Sequence, residues 1–184
     1  MKIKHPTFEE FYQNIYQERW AELKSSLSEN HKVIRSIFGQ KLDLRFSSFI
    51  YNYPTYLSEH HQILKDENLS KKFYVMDPAS IICAQSLNVA PNDFVLDMCA
   101  APGGKSLILL ESLTDGLLWS NEISNNRRTK LKSVIKKYVP KDDQNKIFIK
   151  GKDAIKYGMQ YPNTFDKILL DAPCSGEKHL LHNL

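Results

Sequence analysis

The chain predicts an α/β fold: a doubly wound parallel sheet preceded by an amino-terminal helical segment. Three observations carry this reading. Four short apolar runs, Phe94-Val95-Leu96, Leu117-Leu118-Trp119, Ile147-Phe148-Ile149 and Ile168-Leu169-Leu170, lack the in-out alternation of a half-exposed strand, so they read as strands covered on both faces. Segments with helical character separate these runs, the order expected of strand-helix-strand units. A glycine-bearing turn, Asp97 to Ser106, sits directly between the first run and the next helix. The expected division is residues 1–70 as the helical segment and 71–184 as an incomplete sheet domain holding four main parallel strands.

Taken in order, Thr7-Phe8-Glu9-Glu10 is a capping box that starts a helix after Pro6. Phe8, Phe11, Tyr12, Ile15, Trp20, Leu23 and Leu27 follow at helical spacing, and this stripe predicts one amphipathic helix packing its aromatics into a core. Residues 29–72, with Gly39, Pro54 and scattered aromatics, read as short helices and loops. Phe73-Tyr74-Val75-Met76 is a short strand, and Asp77-Pro78 supplies an N-cap and a first-turn proline for a helix over 79–87 in which Cys83 is a buried small residue. Pro91-Asn92-Asp93 turns into the first sheet strand. The helix after the glycine turn runs to about residue 113. A basic helix spans 127–138 and is stopped by Pro140.

Composition narrows the class. With 42% hydrophobic and 25% charged residues the chain is ordinary for a globular domain. It has no apolar run near the ~18 residues of a membrane span. The start, Met1-Lys2-Ile3-Lys4-His5-Pro6, lacks the apolar region of a secretory signal, and three cysteines without a C-x-x-C pair point away from a disulfide scaffold or structural zinc. The expected setting is a reducing, cytoplasmic one, or the mitochondrial matrix after removal of a transit segment. The net charge of +4 is uneven: residues 127–156 hold eleven Lys or Arg against three acids, a candidate phosphate-facing patch.

The turn itself points to a nucleotide-like ligand. Ala100, Ala101, Gly103 and Gly104 have little or no side chain, which lets a ligand approach the backbone at a helix start. A phosphate-binding P-loop fails because position 99 is Cys99 rather than glycine, and the dinucleotide fingerprint fails for want of a spaced glycine pair. Asp97, Glu122, Asp153 and Asp171 each fall at or just past a predicted strand end, where such sheets bind ligands, and the spacing of Glu122 from the glycines suits a ribose diol.

The run Asp97-Met98-Cys99-Ala100-Ala101-Pro102-Gly103-Gly104-Lys105-Ser106, then Asn121-Glu122 with Arg127 and Leu131, then Asp153, then Leu170-Asp171-Ala172-Pro173-Cys174-Ser175, resembles the Sun-type RNA cytosine-5 methyltransferases. Phe8, Tyr12, Trp20 and Leu23, together with Glu177-Lys178-His179, resemble the mitochondrial rRNA-methylating branch. The resemblance implies a Rossmann-like methyltransferase sheet, S-adenosylmethionine as cofactor and RNA, rRNA or tRNA, as substrate, with an accessory protein left open. It implies that the turn from Cys99 through Ala100, Ala101, Pro102, Gly103, Gly104 and Lys105 holds the methionine end, that Glu122 takes the ribose hydroxyls with Arg127 nearby, and that Asp153 meets the adenine amino group. Asp171 would bond the target base at its N3 edge and also border the cofactor site, Lys105 would lie close to Asp171, and Cys174 would help resolve a covalent intermediate. The family chemistry begins with a thiolate adding to cytosine carbon 6, and the resemblance gives that nucleophile to a Thr-Cys pair beyond residue 184. The chain as written is therefore expected to bind the cofactor, to turn over poorly alone, and to leave Ile168-Leu169-Leu170 at an open, self-associating sheet edge. A silent RNA- or partner-binding protein that keeps the cofactor pocket is the alternative.

Overall fold

The computed structural model describes residues 5–28, 32–39, 48–50, 53–57 and 71–173, and the chain separates into two compact units, Met1–Asn30 with Cys174–Leu184, and His31–Pro173. The expected division at residue 70 lies outside the described residues, as does Cys174.

In the first unit the capping box forms: Thr7 Oγ1 accepts from the Glu10 N–H at 3.2 Å, and Glu10 Oε2 accepts from the Thr7 N–H at 2.8 Å. It opens α1, Phe8–Tyr16, but the single long helix expected from the stripe does not follow. Gln17 has φ +50°, a 3₁₀ turn covers Gln17–Arg19, and α2, Trp20–Ser28, begins in a new direction. The stripe is also less buried than expected. Trp20 is buried, flanked by the Phe8 and Tyr12 rings at 6.0 and 5.0 Å and donating from Nε1 to Glu9 Oε1, while Phe11, Ile15 and Tyr16 stay exposed. Helical spacing marked a shared face, and the break at Gln17 folds that face against itself.

The second unit holds two four-stranded sheets. One is antiparallel, ordered β2 (Ser48–Ile50), β3 (Tyr53–Leu57), β1 (Val33–Ser36), β4 (Phe73–Met76). Strands thus occupy part of the stretch expected to hold helices and loops. Arg35 hid β1: a charged residue inside a short apolar run reads as exposed, yet it is 0% accessible and forks onto the Glu111 carboxylate at 2.9–3.0 Å.

The other sheet is parallel, ordered β7 (Ile147–Lys150), β6 (Leu117–Asn121), β5 (Phe94–Asp97), β8 (Lys167–Leu169). Helix α3, Pro78–Gln85, starts from the Asp77 cap, whose carboxylate accepts from the Ala79 N–H, and Cys83 on it is half-buried rather than enclosed. Helix α4, Gly104–Glu111, has Leu107, Ile108, Leu109 and Leu110 at 0–2% exposure, which explains its all-round apolar sequence. Each such burial is worth about 1.5–3 kcal/mol. Helix α5, Asn125–Tyr138, buries only Leu131 and Ile135, and α6, Tyr157–Gln160, is one short turn past β7. Among the described residues β8 pairs only with β5, and Ile168 and Leu170 are exposed beside it.

Candidate functional site

The carboxyl ends of β5 and β6, the two inner strands, build the site, and the turn after β5 is pinned on both flanks. Met98 N–H donates to Leu169 O at 2.9 Å on the β8 side, and Ala100 N–H donates to Asn121 O at 2.8 Å on the β6 side. Asn121 uses its whole amide: Nδ2 donates to Met98 O and Lys152 O, and Oδ1 accepts from the Lys152 N–H and the Tyr157 hydroxyl. One side chain therefore ties together the segments that follow β5, β6 and β7.

Small residues in the turn have a packing role that the sequence reading did not include. Ala100, Ala101, Gly103 and Gly104 are buried against the protein's own core, and Pro102 is the exposed member. Gly103 has φ +118°, and a Cβ there would meet Val134 Cγ1 at 3.0 Å and Leu131 Cδ1 at 3.1 Å. At Gly104 a Cβ would meet Tyr74 Cε1 at 2.8 Å. The glycines let α4 seat tightly on α5 and β4, so what the turn offers a ligand is backbone. Gly103 caps α4 without a side-chain hydrogen bond, and its carbonyl accepts from the Leu107 N–H at 3.0 Å, so the N–H groups of the first turn have no intrahelical acceptor.

Asp97, at the end of β5, is 1% exposed. Its Oδ2 accepts from Ser106 Oγ at 2.7 Å, and Ser106 Oγ in turn accepts from Ser120 Oγ at 3.0 Å. Burial pushes the Asp97 carboxyl up to about 6, against the pull of the Ser106 hydrogen bond and the Lys105 charge. Burial also pushes the Cys99 thiol up, with the Glu122 and Asp97 carboxylates adding to the effect, so Cys99 is no ready nucleophile.

Glu122, one residue past β6, is 3% exposed. Its Oε1 accepts from the Ser124 N–H at 2.9 Å. Its Oε2 lies 3.3 Å from Arg127 Nη1, an ion pair without a hydrogen bond, and this buried oxygen has no hydrogen-bond partner. Arg127 is held the other way by Ala101 O, which accepts from Nη2 at 2.9 Å. A buried carboxylate oxygen with spare lone pairs, beside a backbone-lined turn, is an acceptor waiting for a donor such as a sugar hydroxyl.

Past the outer strands the acids are exposed. Asp153 caps the short turn Ala154–Lys156 by accepting from the Ile155 N–H at 3.1 Å. Asp171, two residues past β8, pairs through Oδ2 with Lys105 Nζ at 2.5 Å. The structure thus brings Cys99 through Lys105, Glu122, Arg127 and Asp171 to one end of the sheet. Two residues escaped sequence reasoning: Ile123 and Ile155, 62% and 86% exposed, stand next to Glu122 and two residues past Asp153. An apolar residue following a buried strand reads as core, and only exposure reveals it as apolar surface near a strand-end acid. Among the described residues no cluster of His, Cys, Asp or Glu has a metal-ligand arrangement, and no helix is long and apolar enough to cross a membrane.

Known proteins are similar to this chain. Over 112 residues the chain is 40% identical to the 5-cytosine rRNA methyltransferase NSUN4 of Bos taurus, covering 60% of this chain and 29% of that protein. Over 146 residues it is 34% identical to the mitochondrial tRNA (cytosine(34)-C(5))-methyltransferase of Danio rerio, covering 78% and 38%. The chain therefore spans about a third of the length of these relatives. The fold matches the crystal structure of a methyltransferase homolog protein from Pyrococcus horikoshii with a TM-score of 0.68 at 20% identity, over 90% of this chain and 58% of that one. Residues 84–183, more than half of the 184, match the sequence model of 16S rRNA methyltransferase RsmB/F, and those residues carry the turn, Glu122 and Asp171 just described: the chain belongs to the RsmB/F family of methyltransferases.

Proposed function

We propose that the chain is the cofactor-binding portion of an S-adenosylmethionine-dependent RNA cytosine-5 methyltransferase acting on rRNA, with tRNA as the other substrate class its relatives' names include. The observation that carries this is Glu122 Oε2, a buried acceptor without a donor at the end of β6. S-adenosylmethionine, when bound, supplies a methyl group on a positively charged sulfur. Glu122 accepts from its ribose hydroxyls, while Arg127, braced on Ala101 O, keeps that carboxylate from standing as a lone buried charge. The N–H groups of the first turn of α4, which have no intrahelical acceptor, would favour an anionic end such as the methionine carboxylate. Asp153 would meet the adenine amino group, and the exposed Ile123 and Ile155 would offer the ring an apolar surface. Asp171, held by Lys105, meets the target base and keeps a proton at its N3 edge.

RNA would lie along α5. The helix has no acidic residue, and Lys130, Lys132, Lys136 and Lys137 are exposed along it. Over 14 residues it runs about 21 Å from the Arg127 end to an open groove lined by Lys71, Lys72, Lys137, Phe38 and Tyr138. A mitochondrial compartment, as in the name of the Danio rerio relative, fits a reducing matrix for the reduced Cys83 and Cys99.

Titration calorimetry of the chain with S-adenosylmethionine tests the reading: a saturable one-site heat is expected, and no heat from a folded sample overturns it. Transfer of a tritiated methyl to unmodified small-subunit rRNA by a carboxyl-terminally extended chain, mapped to a cytosine, tests the substrate. Methylation of protein or DNA alone would reassign it.

A further inference from the structure

We infer that Ser80 is a positioning residue for the Lys105–Asp171 pair, an inference that rests on the function proposed above. Ser80 sits in the first turn of α3, held by its N–H donating to Asp77 O at 3.0 Å. Its hydroxyl accepts from Lys105 Nζ at 3.1 Å, while the same nitrogen lies 2.5 Å from Asp171 Oδ2. The lysine side chain is 19% exposed and that of Asp171 48%.

An ammonium group has three N–H donors arranged around one axis. A single ion pair to a half-exposed loop carboxylate leaves the group free to spin and is worth little by itself. A second acceptor on a different element removes that freedom. With one N–H on Asp171 and one on Ser80, the rotation of the ammonium is set and the third N–H has a fixed direction. Lys105 is in the first turn of α4 and Ser80 in the first turn of α3, and these two helices pack together, so the frame holding the cation is rigid even where Asp171 is not. Ser80 touches no reacting atom in this scheme. It holds the lysine so that Asp171 stays oriented and one donor remains for the base.

Nuclear magnetic resonance of the lysine ammonium groups, together with methyl transfer to rRNA by the carboxyl-terminally extended chain, tests this. The Lys105 Nζ signal is assigned by its loss in Lys105→Met. In Ser80→Ala, proton exchange of that ammonium with water should speed up, and kcat should fall about tenfold, the worth of one charge-assisted hydrogen bond, with cofactor affinity unchanged. Ser80→Thr, which keeps the hydroxyl, should restore both. If Ser80→Ala does not fold, Ser80→Cys, a poor acceptor, carries the same expectation. Unchanged ammonium exchange in the variant lacking the hydroxyl overturns the inference, whatever happens to kcat, as does a threonine variant that behaves like alanine. If exchange responds as expected but no form of the protein methylates RNA, the positioning role stands and the proposed activity falls.

Discussion

The four acids at the strand ends divide into an inner and an outer pair. Asp97 and Glu122 follow the inner strands β5 and β6 and are 1% and 3% exposed; Asp153 and Asp171 follow the outer strands β7 and β8 and face solvent. Among the described residues an inner strand end has neighbours on both sides and an outer one does not, which accounts for the difference. Equivalent topological positions therefore carry unequal electrostatics. A buried carboxylate lacks water's hydrogen bonds and pulls strongly on any donor that arrives, whereas an exposed one orients a partner at little energetic cost.

The inner pair should show the largest effects. Asp97 has a folded-state pKa near 6 against an ordinary 3.8, so between pH 4 and 6 the native state binds more protons than the unfolded one. Its contribution to stability is thus fully present below pH 4 and is lost as pH rises through 6, a change on the order of 3 kcal/mol. Asp97→Asn should remove that slope: urea denaturation at pH 4 and pH 7 should show the variant gaining on wild type as pH rises, and parallel curves would place Asp97 in a wetter setting than its burial indicates. Next comes Glu122→Ala. Loss of a charged acceptor for a ribose hydroxyl should weaken S-adenosylmethionine binding by about 10- to 100-fold in calorimetry.

Asp153→Ala, on the outer side, should cost no more than about tenfold in the same titration, together with about 1 kcal/mol of stability from the lost cap. An Asp153 effect equal to that of Glu122 would break the comparison, since exposure would then not have set the strength. The smallest effect belongs to the rim of α5. The Lys136→Ala, Lys137→Ala double variant should lower the slope of log affinity for RNA against log salt by about 1 to 2, and an unchanged slope would move the RNA path off this helix.

Much of this site was legible because its signals are local. Unalternated apolar runs marked the parallel strands, the acids marked their ends, and the motif from Asp97 to Ser106 marked the turn. The pairing of Lys105 with Asp171 came from resemblance and not from spacing. What stayed hidden depends on partners distant in sequence. Arg35 is intelligible in β1 only through Glu111, 76 positions away. The packing of Gly103 and Gly104 against Leu131, Val134 and Tyr74 has no mark in the sequence. Ser80 is one serine among many until Lys105 reaches it. The break at Gln17 has no glycine or proline to announce it, and the stripe on either side kept its helical period.

The hydrogen bond from Met98 to Leu169 gives the site a built-in clock. Met98 N–H is part of the turn, yet its acceptor is the last carbonyl of β8, an edge strand of three residues. Its exchange with deuterated water should therefore follow the opening of that edge, while the amide of Ala100, bonded to inner-strand Asn121 O, waits for a deeper opening. Covering the outer side of β8 should slow the first amide more than the second. Two neighbouring amides in one turn thus read, on separate timescales, the fraying of the sheet's edge and the integrity of its centre.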